Sequence, residues 1–319
     1  MALGEPPSVS RAAAVVAGNL RVDWATAEVL RAFEDRGVKT LLLKGPSVVR
    51  WLYGAHDPRS YIDCDLLVRP GDLNAAEHIL ESRGFAPNLY EREMPTWWRE
   101  HAVGWLRAGD GAIVDLHQTL PGVGVGPDRL WLTLSADVDE IDVAGFRATT
   151  LTIPGRALHL ALHAAQHGVG WAHVIAELER AVSSTDQAVW RAAVELAEAL
   201  DAVPALAAGL RTSPAGRTLA STLHLPADRS VEVALRASSP PPVALGFDQL
   251  ARAEDWRARL RIMRHKVAPP ATFVRAWSPL ARRGRLGLVL AYAWRPLWLL
   301  RSAPAGFRAW RAARWPSSD

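Results

Sequence analysis

The residues best suited to chemistry are two aspartates one position apart, Asp63 and Asp65, in the otherwise apolar run from Ile62 to Val68. Side chains of a strand alternate between its faces, so both carboxylates point one way while Ile62, Cys64, Leu66 and Val68 point the other. Their Cα atoms then lie about 6 to 7 Å apart, from a rise of roughly 3.3 Å per residue. Aspartate is disfavoured in strands and paired carboxylates repel, so the arrangement needs an offsetting positive charge. A divalent cation supplies it, because Mg2+ (or Mn2+) shares an oxygen shell between carboxylates and substrate phosphates. A third carboxylate, Asp115, shares a strand face with His117, with Val114 and Leu116 on the opposite face. If the two strands lie side by side, Asp63, Asp65 and Asp115 form a trio able to hold two metal ions about 3.5 to 4 Å apart. One ion would activate an attacking hydroxyl and the other steady a pyrophosphate leaving group, with Asp115 the candidate general base. The plainer alternative puts Asp63 and Asp65 on the wet face of a half-exposed sheet.

Upstream, Leu41 to Ser47 (LLLKGPS) places a glycine, a hydroxyl and unpaired backbone N–H groups at the start of a short helix. Such an end attracts anions through its donors and the helix dipole. Lys44 adds a mobile charge, and Arg59, four residues before Asp63, adds a planar fork suited to phosphate. Lys44, Gly45, Ser47 and Arg59 are therefore the expected nucleotide-binding residues. The alternative is an ordinary strand-to-helix turn with solvated cations.

The elements that must position these groups follow from period and punctuation. Asp23 to Arg36 reads as a helix with Asp23 as N-cap and Gly37 as stop. Val38 to Leu43 reads as a strand buried on both faces, and Pro46 to Tyr53 as a short helix. Tyr61 to Arg69 is a second strand, followed by a helix from Asp72 to Arg83. His101 to Arg107 and Ala112 to Gln118 form a hairpin about Asp110 and Gly111, and Phe146 to Ile153 is extended up to Pro154 and Gly155. These elements make a mixed α/β domain over residues 1–154.

Residues 155–319 read as helical almost throughout, with Arg156 to His167, Trp171 to Val182 and Gln187 to Ala199 the clearest segments and a proline-rich crossing at Ser238 to Val243. From Gly246 onward there are 15 Lys or Arg against 4 Asp or Glu, a balance of +11; the preceding 245 residues carry 22 against 29, a balance of −7. A basic end beside an acidic body suits an anionic partner such as a triphosphate, and leaves nucleic acid as a lesser candidate through the C-terminal region. Leu286 to Leu300 is too short and too interrupted by Arg295 and Pro296 to span a bilayer, which argues against an integral membrane protein, and reads as a buried helix pair, with a membrane-surface role for this Trp- and Arg-bearing tail as the lesser alternative. The single cysteine, Cys64, and the lack of a charged-then-apolar leader fit a cytoplasmic location. Cys64 itself faces away from the aspartates and reads as core. His159, His163 and His167 make one stripe along a helix. Without the accompanying glutamate of a zinc-protease motif, they read as packed residues at an interface with the catalytic domain, or as part of an acceptor pocket.

Taken in order, LLLKGPS, DPRSYIDCDLLV and IVDLHQTL resemble the nucleotidyltransferase superfamily. The closer likeness is to a poorly characterised bacterial nucleotidyltransferase-like family with a KG…R…DIDLLV…DLH pattern, and it continues through LHLALHAAQH (Leu158 to His167). The resemblance implies an α+β fold, a polymerase-β-like mixed-sheet domain followed by an all-α domain. It implies transfer of a nucleoside monophosphate from an NTP to an acceptor, with Asp63, Asp65 and Asp115 as metal-binding carboxylates and Gly45 with Ser47 as the nucleotide-gripping turn. The superfamily's usual glycine followed directly by serine or glycine is Gly45-Pro46 here. The family's association with natural-product clusters, lasso peptides among them, implies a specialised acceptor: a small molecule, a peptide or a protein side chain. The alternative is a catalytically inactive nucleotide-binding or scaffold protein of the same fold. Oligomeric state is not legible.

Overall fold

The computed structural model describes residues 11–54, 57, 59–88, 101–227, 231–238, 240–241 and 243–315. They form two compact units, the first made of the described residues up to Pro87 with His101–Thr119 and Val125–Arg156.

In the first unit, helix α1 (Arg11–Glu34) leads to strand β1 (Thr40–Leu42), helix α2 (Pro46–Leu52) and strand β2 (Cys64–Val68). Helix α3 (Leu73–Ser82), strand β3 (Ala86–Pro87), and strands β4 (Ala102–Arg107) and β5 (Ala112–His117) follow. Helix α4 (Pro127–Leu134) and strands β6 (Val138–Val143) and β7 (Phe146–Leu151) complete the unit. The sheet has seven strands in the order β3-β4-β5-β2-β1-β7-β6. It is mixed: β2 runs parallel to β5 and antiparallel to β1, and β1 meets β7 in parallel. One face packs on α1 and α3, where Val29, Phe33, Ala76 and Leu80 meet Cys64, Leu66, Val68, Val114 and Leu116. Burying these side chains is the main drive for closing the sheet on the helices. Alternation then sends Asp65, Leu67, Asp115 and His117 to the opposite face.

Several expectations shift. Helix α1 begins twelve residues before Asp23, because Arg11 to Leu20 is rich in alanine and other residues the helix tolerates. Asp23 is thus inside a helix and is no N-cap. Strand β2 begins at Cys64, and Ile62, expected to point inward, is 71% exposed. Strand β7 forms where Phe146 to Ile153 was read as extended, but its antiparallel partner β6 and helix α4 were not anticipated; Asp139, Glu140 and Asp142 dilute the apolar alternation of β6, an edge strand. Pro154 and Gly155, expected as a break, open helix α5 (Ile153–His167); proline is tolerated in a first turn.

The second unit includes Leu120–Gly124 and the residues from Ala157 on, and its described residues are mainly helices joined by short connections. After α5 come α6 (Ala172–Ser184), α7 (Gln187–Ala199), α8 (Val203–Leu210) and α9 (Pro214–Thr222). Then follow α10 (Val231–Ala237), α11 (Ala244–Arg252), α12 (Trp256–Val267), α13 (Ala271–Trp277) and α14 (Gly284–Arg314). Gly209 lets α8 meet α5 at backbone distance: a Cβ there would fall 1.9 Å from the Ala161 carbonyl oxygen. The segment Leu286 to Leu300, expected as a buried helix pair, is one stretch of α14, which continues through Pro296 and Pro304.

Candidate active site

Parallel pairing of β2 with β5 sets Asp65 directly beside Asp115. Across β5 on the other side lies Gly104 of β4, in register with Asp115, so no side chain from that strand covers the carboxylate. Asp63 precedes β2 by one residue and is partly buried. The three predicted carboxylates therefore sit on adjacent backbone at one region of the sheet. Among the described residues, however, no three Asp, Glu, His or Cys side chains are drawn together into a ready-made metal-binding group.

Asp65 is the innermost of the three, 1% exposed. One of its oxygens, Oδ1, receives the Lys44 ammonium at 3.1 Å and His117 Nε2 at 3.1 Å. Lys44 reaches it because Leu43 N–H donates to the Asp65 carbonyl at 3.0 Å, which prolongs the β1–β2 ladder to the residue before Lys44. Burial pulls the Lys44 pKa down, but Asp65, Asp63 and Asp115 outweigh it and hold the ammonium above its ordinary value. The carboxylates move upward as well. Burial and then the Asp65 charge raise Asp63, while burial and then Asp65 push Asp115 up to about 7. Lys44 opposes both rises and Arg59 opposes that of Asp63, without cancelling them. The donors here are hard oxygens, which fit a divalent cation, but the Lys44 ammonium occupies one Asp65 oxygen that such an ion would use.

The turn after β1 is built around Gly45. Its φ of 63° with ψ of −114° is a conformation that side chains resist. A Cβ there would also lie 3.5 Å from both the Asp63 carbonyl and the Tyr61 ring. Ser47 lies at the buried start of α2, and its hydroxyl donates to the Leu43 carbonyl at 3.1 Å. That hydroxyl braces the turn from inside. Arg59 is partly exposed and near enough to Asp63 to oppose the rise in its pKa.

Residues far away in sequence hold the approach to β2. Asn19 Nδ2 donates to the Arg59 carbonyl at 2.9 Å, and Tyr61 N–H donates to Asn19 Oδ1 at 3.1 Å. The Tyr61 hydroxyl donates to Asp23 Oδ1 at 2.6 Å, and Arg50 pairs with the other Asp23 oxygen at 3.2 Å. Burial, together with the Asp23 bond, raises the phenol's pKa. Sequence reading missed this network because its members are separated by 27 to 42 residues. His117 was legible as a neighbour of Asp115 on one face, but not as the partner of Asp65. Cys64 is buried in the core as expected, its thiol pushed upward by burial.

In the second unit, His159, His163 and His167 stack in sequence along α5 with ring centroids 6.3 and 4.3 Å apart, and His167 continues onto Trp171 at 4.6 Å. They form a packed aromatic row.

A mixed sheet with aspartates at one region beside a glycine turn is compatible with a nucleotidyltransferase-type domain. Residues 9–215 match the family model described as uncharacterised nucleotidyltransferase, and the chain belongs to that family. No curated protein matches it. Among solved structures it is similar to the antibiotic-resistance factor ANT(2'')-Ia in solution: 14% identity over 57% of this chain and 93% of that one, TM-score 0.38. The crystal structure of ANT(2'')-Ia in complex with adenylyl-2''-tobramycin gives 13% identity over 56% and 97%, TM-score 0.38. An antigenic nucleotidyltransferase-like protein from Paracoccidioides brasiliensis gives 15% identity over 57% and 92%, TM-score 0.34.

Proposed function

We propose that the chain transfers a nucleoside monophosphate from an NTP to an acceptor with the help of a divalent cation held by Asp63, Asp65 and Asp115. The observation that carries this reading is the in-register pairing of Asp65 with Asp115, with Asp63 alongside and both flanking carboxylates raised first by burial and then by the Asp65 charge. Such crowding is costly unless a cation answers it. Bound there, Mg2+ or Mn2+ would supply Lewis-acid polarisation of the phosphates.

The chain's own groups have separable tasks. Asp115, with a pKa near the operating range, accepts the proton of the attacking hydroxyl or amine as its oxygen or nitrogen bonds the α-phosphorus. The bond from that phosphorus to the bridging oxygen of pyrophosphate then breaks. Lys44 and Arg59 would balance triphosphate charge, and the Gly45 turn would let backbone approach it closely. The acceptor is a small hydroxylated or amine-bearing metabolite, a modified peptide or a protein side chain, in keeping with a role in natural-product biosynthesis.

A second reading, nucleotide binding without turnover, draws on the Lys44 ammonium resting on Asp65 where a cation would sit. One assay separates the two. Labelled NTPs with Mg2+ or Mn2+ and candidate acceptors should give labelled product with the wild type and none with Asp63→Ala plus Asp65→Ala. Equal label with both proteins refutes transfer at this site; saturable nucleotide binding without any label supports the scaffold.

A further inference from the structure

The apolar part of α14 faces outward. Leu286, Val289, Leu290, Trp294, Leu297 and Leu300 are all exposed, from 49% for Leu290 to 73% for Leu286. Gly287, Ala291 and Arg295 between them are buried. At 3.6 residues per turn the six exposed positions fall within roughly 140° of one side, along a stripe about 21 Å long. Water is a poor solvent for a continuous stripe of this kind, which marks an interaction surface.

Charge says what covers it. Arg282, Arg283 and Arg285 stand exposed at one end of the stripe, and Arg301, Arg308 and Arg311 at the other. From Trp256 to Trp315 the chain has 14 Lys or Arg and no Asp or Glu. Helix α12 repeats the composition, with Trp256, Leu260 and Met263 exposed among four arginines. A second copy of this face would bring arginines against arginines with no carboxylate between them. A nucleic acid would lay its phosphates along the uncharged length of the stripe. No described helix is long and apolar enough to cross a membrane.

We propose that this face binds the surface of an anionic lipid bilayer. The leucines and Trp294 enter the boundary between headgroups and acyl chains, and the flanking arginines meet lipid phosphates. The proposal is independent of nucleotidyl transfer.

The test is co-sedimentation of the full chain with vesicles of phosphatidylcholine alone, or mixed equally with phosphatidylglycerol. Binding to the mixed vesicles should be stronger by roughly tenfold or more. Leu290→Asp with Leu297→Asp changes only exposed positions, and should weaken it by roughly tenfold or more with an unchanged circular dichroism spectrum. Arg301→Ala, Arg308→Ala and Arg311→Ala together should cost roughly a hundredfold on mixed vesicles. The proposal is overturned if the wild type stays in the supernatant with mixed vesicles, or if the leucine variant pellets as well as the wild type. It is equally overturned if the face proves to mediate self-association or duplex-DNA binding while vesicles are ignored.

Discussion

Asp65 is the most deeply buried of the three carboxylates, and its Oδ1 is met by both Lys44 and His117. Removing the Lys44 ammonium by Lys44→Met leaves a buried charge with His117 Nε2 still beside it, and should cost about 3 kcal/mol of stability, read as a lower urea midpoint. Adding Asp65→Leu to that change should recover part of the loss, since the uncompensated charge is then gone. Asp115 carries a pH signature. Its folded pKa, about 7, lies above its ordinary value, so the native state holds the proton more tightly than the unfolded chain. Its contribution favours folding at low pH and is lost as pH rises from the ordinary carboxylate range to about 7. Thermal melts from about pH 5 to about pH 8 should show Asp115→Asn gaining stability over the wild type as pH increases. A gap that closes with rising pH would contradict the assigned cause.

At the scale of elements, the turn and the start of β2 make the sharpest predictions. Gly45→Ala must adopt a backbone that side chains avoid, beside the Tyr61 ring, and should destabilise the protein by roughly 2 kcal/mol. Ile62 stands outside the strand, so Ile62→Ser should change stability by no more than about 0.5 kcal/mol, measured by chemical denaturation. Had the alternation run back to Ile62, the cost would approach the roughly 1.5 to 3 kcal/mol of an unburied aliphatic side chain. Much of this element plan could be read from residues alone. The apolar run ending at Lys44 became β1, Pro46 opened α2, and the Asp110-Gly111 turn joined β4 to β5. The edge strand β6 escaped, because a strand wet on one side with several acids looks like a loop.

For the molecule as a whole, nucleotide binding should appear as stabilisation. A ligand that binds only the folded state adds about 2.7 kcal/mol at a hundred times its Kd. A nonhydrolysable NTP with Mg2+ should therefore raise the Tm of the wild type clearly, and that of Asp63→Ala plus Asp65→Ala little or not at all. An equal rise in both would place the nucleotide elsewhere. The charge separation, −7 before Gly246 and +11 after, is a second property of the whole chain, and it puts the cationic surface in the helical C-terminal part.

What the sequence by itself determined is the local chemistry: which residues are acidic, which glycine must turn, and which faces alternate. Those features depend on neighbours one to four positions apart, where strand and helix geometry is nearly invariant. Tertiary structure alone decided that Asp115 pairs in register with Asp65, that His117 and Lys44 share one Asp65 oxygen, and that Asp23 serves Tyr61 and Arg50 instead of capping a helix. It also decided that the apolar residues of α14 face outward. Strand order, and the side of a helix that finds a partner, follow from how the whole chain buries its apolar surface. No short window of sequence contains that balance.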